Sequence, residues 1–172
     1  MPAATFEELA LPLFDQLYNF ARWLTQDATE AEDLVQETYT KALRGFSGFQ
    51  LGTNFRAWMF CILRNTFLTS RTGLKSADPD DTDMDSMPSP QPTPEAFLIQ
   101  QADRAAVQQA LERLPVPFRE ILLLCEVEEM SYEEIAEVLG IPIGTVMSRL
   151  YRARRALRAQ LLEKFKGASH GV

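Results

Sequence analysis

Residues 76–95 read Ser-Ala-Asp-Pro-Asp-Asp-Thr-Asp-Met-Asp-Ser-Met-Pro-Ser-Pro-Gln-Pro-Thr-Pro-Glu, and no other stretch limits the fold as much. Five prolines and six acidic residues, with two methionines as the only large apolar side chains, cannot bury enough surface to offset the entropy of ordering. The segment is therefore expected to be an acidic, Pro-rich flexible linker. It divides the 172-residue chain into residues 1–75 and 96–172, each the size of a small domain. About 20 residues at ~3.3 Å each reach some 65 Å when extended, and a flexible coil averages about 25 Å. Both flanking blocks carry apolar residues at helical spacing, so the fold class is all-α, two small helical domains.

The sharpest pattern lies in the second block, from Ser131 to Arg158. Ser131 and Glu134 form a capping box, and Gly140 supplies the left-handed residue that ends a helix of about two turns. After Ile141-Pro142-Ile143 a second apolar stripe runs through Val146, Leu150, Ala153, Leu157 and Leu161. Opposite it, Thr145, Ser148, Arg149, Arg152 and Arg155 share a face, flanked by Arg154 and Arg158. Such a bihelical unit is expected to be a helix-turn-helix whose second helix enters a DNA groove, its first turns on base edges and its arginines on phosphates or guanines. The bland alternative is a solvated Arg-rich face on a core helix. Upstream, a helix through Ala102, Ala106, Ala110 and Leu114 starts near Phe97 and stops at Pro115-Val-Pro117, and Phe118 to about Glu128 forms the floor of the unit.

In the first block, Thr5 and Glu8 are a capping box opening a helical pattern through Leu24, broken near Leu11 by Pro12. Thr29 and Glu32 read as another box, starting a helix to about Arg44 with Leu34, Val35, Thr38, Ala42 and Leu43 inside and Asp33, Gln36, Glu37 and Lys41 outside. The loop Gly45–Asn54 is glycine-punctuated yet holds Phe46, Phe49 and Leu51, aromatics that either pack back on the core or offer stacking surfaces to unpaired bases. From Thr53 or Asn54 a helix runs to Arg71. It is apolar almost all round and hence central to its domain.

The chain carries a net charge of −7, and its distribution matters more than its sum. Residues 1–75 hold 7 basic and 8 acidic side chains, residues 76–95 none and 6, residues 96–172 ten of each. Almost all the acidic excess sits in the linker, so an acidic pI does not argue against DNA binding. Seven basic residues lie between Arg149 and Lys166 against one acid, Glu163, and the tail after Lys166 is expected to fray. Cys61 and Cys125 lie far apart in apolar patterns and His170 is the only histidine. No metal-ligand spacing exists, and two buried, reduced thiols fit a reducing compartment. The N-terminus lacks a signal-peptide pattern and no apolar run reaches the ~20 residues that span a bilayer. A cytoplasmic protein without membrane insertion is expected. There is no nucleophile motif or glycine-rich phosphate loop, so no enzyme, cofactor or small-molecule substrate is expected.

In order along the chain, Asp33-Leu-Val-Gln-Glu-Thr38, Phe55-Arg-Ala-Trp58 with Leu63-Arg-Asn65, Leu114-Pro115 with Phe118-Arg-Glu120, and Ser131-Tyr-Glu-Glu-Ile-Ala136 with Gly144-Thr-Val-Met-Ser-Arg149 resemble the bacterial sigma-70 family. The match is to its two-domain branch, the extracytoplasmic-function (ECF) sigma factors. The resemblance implies a promoter-specificity subunit that binds core RNA polymerase and promoter DNA and is held in check by an anti-sigma factor. It implies a sigma-2 domain at 1–75 and a sigma-4 domain at 96–172. Asp33, Gln36 and Glu37 would bind the polymerase clamp. Phe49, Asn54, Trp58, Arg64 and Asn65 would capture unpaired −10 bases, and Thr145, Ser148, Arg149, Tyr151, Arg152 and Arg155 would read the −35 element. The linker would thread the RNA exit path, its charge standing in for nucleic acid. Met147 departs from the family's usual Lys or Arg, which removes one contact to DNA, and Thr69–Thr72 is less basic than upstream DNA contacts lead one to expect.

Two other readings meet the same residues. A stand-alone helix-turn-helix regulator leaves Asp33–Thr38 and the aromatic loop unexplained and predicts tight operator binding without polymerase. A sigma-like mimic that titrates an anti-sigma factor has no use for the arginine face at Thr145–Arg155.

Overall fold

The computed structural model describes residues 4–72 and 104–170, the side chains of Thr72 and of residues 164–170 excepted. The expected linker and the start of the second domain near Phe97 lie outside these residues. Among the described residues the structure is helical throughout, with no strand. Helix α1 (Phe6–Ala10) passes through a 3-10 turn at Leu11–Leu13, where Pro12 lacks the N–H a continuous helix needs, into α2 (Phe14–Thr25). Thr5 caps α1 reciprocally with Glu8, as expected. Helix α3 spans Ala28–Gly45 and α4 spans Phe55–Thr72.

The start of α3 departs from the expected box. Its cap is Asp27, whose carboxylate accepts from the Glu30 N–H at 2.9 Å, so Thr29 falls inside the first turn. An aspartate two residues upstream outcompetes threonine because its charge also favours the helix N-terminus. Leu43, expected inside, is 58% exposed. Tyr39 ties α3 to the N-terminal segment, donating its hydroxyl to the Ala10 carbonyl at 2.6 Å.

The second half comprises α5 (Arg104–Arg113), α6 (Val116–Leu122), α7 (Tyr132–Leu139) and α8 (Ile143–His170). Helix α6 begins before Phe118, with Pro117 in its first turn, where a missing N–H costs nothing. It ends in a π turn at Leu123–Val127 rather than running on as α-helix. Helical backbone continues past Lys166 to His170, where fraying was expected. Ile121, Leu124, Ile135, Val146, Leu150 and Leu161 are at most 1% exposed and form the core of this half.

The two halves pack on each other. Helix α4 lies against α2 and α3 on one side and against α7 on the other, while α6 meets α2. Ala57, Met59, Phe60 and Leu63 of α4 are fully buried.

Candidate nucleic-acid interface

Helices α7 and α8 form the helix-turn-helix in detail. The Ser131 hydroxyl accepts from the Glu134 N–H at 3.1 Å, and Glu134 accepts in return from the Ser131 N–H at 3.1 Å. Gly140 ends α7 at φ 67°, a left-handed conformation a side chain would strain. Val146, Leu150, Ala153, Leu157 and Leu161 are buried as the spacing required.

The polar face of α8 differs from expectation in two places. Ser148 is 7% and Arg149 2% exposed. Arg149 sits three residues after Val146 and four before Ala153, so its stem borders the apolar stripe rather than opposing it. Ser148 donates to the Thr145 carbonyl at 3.2 Å. Thr145, Tyr151 and Arg152 are half-buried and Arg155 is exposed, with its guanidinium 5.8 Å from the Tyr151 ring. Arg154, on the flank, is held by Glu126 at 2.9 Å. Burial alone would lower its pKa, and the Glu126 carboxylate more than offsets this.

In the first half the loop aromatics pack back. Phe46 and Phe49 join Phe6, Phe55 and Trp58, with Phe49 and Trp58 ring centres 4.9 Å apart and Phe49 and Phe55 5.2 Å apart. Phe49 and Trp58 remain half-buried, so one edge of the cluster stays accessible. Asn54 caps α4, accepting from the Ala57 N–H at 3.0 Å. Its amide also donates to a Glu134 carboxylate oxygen at 2.8 Å, and Arg56 lies 3.4 Å from the same oxygen. Burial alone would raise the Glu134 pKa, but hydrogen bonds from Asn54 and the Ser131 N–H, with the Arg56 charge, bring it below the usual value. Arg64, 8% exposed, donates from Nε to Glu120 at 2.9 Å and from Nη1 to the Leu139 carbonyl at 3.3 Å. Asn65 is half-buried and donates to the Cys61 sulfur at 3.5 Å. Cys61 and Cys125 are only half-buried and are not joined in a disulfide.

On α3, Asp33, Gln36 and Glu37 are all exposed, with Glu37 3.6 Å from Lys41. Asp33 and Glu37 border a cleft shared with Phe67 and Arg71, and Gln36 borders a shallow groove with Phe14 and Tyr18.

Periodicity gave no sign of Arg119 and Glu120. Arg119 is 5% exposed and donates to the Glu112 and Leu114 carbonyls, at 3.3 and 3.0 Å, and across the halves to Leu24 at 3.4 Å. A cation thus meets the C-terminal ends of two helices. An adjacent charged pair in an apolar helix is the signal that could have found them. Glu128 is 9% exposed, and burial pushes its carboxyl pKa up against the opposing pull of Arg56. A raised carboxyl pKa gives stability that is full below the ordinary value of 4.5 and lost as pH rises through the folded-state value. Glu128→Gln is therefore expected to raise the melting temperature at pH 7 and to change it little at pH 4, measured by circular dichroism. A lower melting temperature at pH 7 would show that Arg56 outweighs burial.

Described residues that are helical throughout and fall in two halves, one bearing a helix-turn-helix with an arginine-rich second helix, fit the class of DNA-reading transcription proteins. Known families narrow this. Residues 12–76 match Sigma-70 region 2 and residues 104–157 match Sigma-70, region 4. The ECF RNA polymerase sigma factor SigE of Mycolicibacterium smegmatis is 37% identical over 168 residues, which cover 92% of this chain and 65% of that one. The ECF RNA polymerase sigma factor EcfG of Rhodopseudomonas palustris is 39% identical over 143 residues, covering 83% and 77%. Among solved structures, the sigma factor RpoE in complex with the anti-sigma factor NepR from Bartonella quintana superposes with a TM-score of 0.69 at 30% identity, covering 91% of this chain and 96% of that one. CnrH in complex with the cytosolic domain of CnrY gives 0.64 at 28%, covering 91% and 86%. The chain belongs to the sigma-70 family, in its ECF group of RNA polymerase sigma factors. Members of this family are transcription-initiation factors and not enzymes. Among the described residues no helix is long and apolar enough to cross a membrane.

Proposed function

We propose that this chain binds core RNA polymerase in the bacterial cytoplasm through α3 and directs it to promoters whose −10 and −35 elements are read by the first and second halves. The observation that carries the reading is the ordered pair of family regions, 12–76 and 104–157, on either side of the acidic stretch 76–95. We take the domains as 1–75 and 96–172. Exposure supports a polymerase-binding role for Asp33, Gln36 and Glu37, Gln36 beside the Phe14–Tyr18 groove and Asp33 and Glu37 beside the cleft with Phe67 and Arg71. Phe49 and Trp58, half-buried in one aromatic cluster, offer ring edges to unpaired bases, with Asn54, Arg64 and Asn65 along the same helix. Thr145, Ser148, Arg149, Tyr151, Arg152 and Arg155 serve the −35 element. Both solved relatives are in complex with a second protein, RpoE with the anti-sigma factor NepR and CnrH with the cytosolic domain of CnrY. An anti-sigma factor that engages both halves is the corresponding partner here.

The test is complex formation with purified core polymerase by gel filtration. The Asp33→Lys, Glu37→Lys double variant is expected to weaken that complex at least ~10-fold, as like charges placed at an interface do, with its melting temperature within a few degrees of the parent. A complex of unchanged affinity would remove α3 from the polymerase interface.

A further inference from the structure

The accessible ridge at the start of α8 is apolar. Ile143, Met147, Tyr151 and Arg155 follow one another at i+4 spacing, so they lie in a row along the first turns of the helix. Ile143 is 42% exposed, Met147 and Tyr151 are half-buried, and Arg155 is exposed. The row is thus open to solvent, whereas Ser148 and Arg149 beside it are 7% and 2% exposed. Its two members nearest the helix start, Ile143 and Met147, offer no hydrogen-bond donor in their side chains. Neither belongs to the buried stripe, which Val146, Leu150, Ala153, Leu157 and Leu161 complete without them.

The surroundings of the row say what kind of surface it meets. A Cβ built on Gly144 would find no atom within 4 Å, so the helix is bare next to Ile143 and a groove wall can come close to its backbone. At the far end of the row the Arg155 guanidinium lies 5.8 Å from the Tyr151 ring centre, a cation held against an aromatic face. Seven basic residues against one acid, Glu163, fall between Arg149 and Lys166. That charge selects a polyanion as the partner of this helix. In the major groove of a duplex, the apolar group that marks a base pair is the C5-methyl of thymine, and apolar side chains are what recognise it.

We propose that Ile143 and Met147 form a thymine-methyl reader at the start of α8: they pack on C5-methyl groups of the −35 duplex in the major groove, while Tyr151 extends the row and braces Arg155 toward a phosphate. The inference rests on the assignment of α8 to the −35 element made above and adds to it two residues and a chemistry that the polar side chains do not supply. Hydrogen-bonding side chains sort base edges by their donors and acceptors. Thymine and uracil present the same donors and acceptors, so only a contact to the methyl group separates them.

That difference is the test. The probe is a random-sequence duplex DNA pool made in two forms, one with thymine and one with uracil throughout, from which the full chain selects with and without core polymerase. The thymine pool is expected to yield a motif with at least one fixed thymine. In the uracil pool that position should lose its preference, and the same sequence should bind roughly fourfold more weakly, the worth of about one buried methyl group. The double variant Ile143→Ala, Met147→Ala should bind both forms of the motif equally, at the weaker level, with a melting temperature close to the parent's. A side chain that only supported the fold would instead weaken both forms alike. A parent that selects the same motif with the same affinity from both pools, or a double variant that keeps the parent's preference for thymine over uracil, would overturn the proposal. A motif selected only without core polymerase counts against the polymerase reading and leaves the thymine-to-uracil ratio to judge the methyl reader. No motif in either arm would overturn both.

Discussion

Truncation of Glu120 to alanine should lower the unfolding free energy of this protein by about 3–5 kcal/mol, and truncation of Arg64 should do the same. The side chains of the pair are 10% and 1% exposed, with Nε and Oε2 2.9 Å apart. Both charges have left water, and each is the other's ion-pair partner. Removing one leaves the other buried and uncompensated, which costs more than the pair itself contributes. The double variant Arg64→Met, Glu120→Leu removes both charges and fills the space, so most of the loss should return. Urea denaturation of the four proteins measures this. A cost below about 1 kcal/mol for either truncation is the behaviour of a solvated pair and would mean that the two halves are not docked in solution.

The second large effect falls on promoter use. Arg152→Ala should reduce transcription from a cognate promoter by about 1–3 kcal/mol of discrimination, roughly 5- to 150-fold, if the guanidinium is bidentate to a base edge. If it meets phosphate instead, affinity should fall similarly on every sequence and the salt dependence should flatten by about one counterion. Arg149→Ala is the harder case. Arg149 is 2% exposed, so its truncation also takes away buried contacts. Its variant therefore needs a melting curve beside the transcription assay. No change in promoter use for either arginine would remove the basic face of α8 from −35 recognition.

Local chemistry explains which parts of the molecule were legible in the sequence. The caps at Thr5, Ser131 and Gly140 involve residues a few positions apart and stand where the spacing put them, and of Thr53 and Asn54, both open in the sequence, Asn54 is the cap. The apolar stripe of α8 was equally plain. At Asp27 the local rules were sufficient but were applied to the wrong residue, because Thr29 and Glu32 offered a second, weaker box. Arg149 was misplaced for a geometric reason: an arginine on the flank of an apolar stripe buries its stem, and spacing alone does not separate flank from outer face.

The docking of the two halves was not legible, since its contacts join residues such as Arg64 and Glu120, or Asn54 and Glu134, that no periodicity relates. Helix α4, apolar almost all round, reads as the centre of its own domain, and nothing in its pattern marks the face that packs against α7.

The most direct test of the sigma-factor account is transcription of genomic DNA by core polymerase with and without this chain, followed by mapping of the 5′ ends. The account predicts a set of starts that appear only with the chain and share two upstream elements at −10 and −35 spacing. Those starts should weaken with the Arg152→Ala chain. Specific DNA binding by the chain alone, with no new starts and no complex with core polymerase, would contradict it.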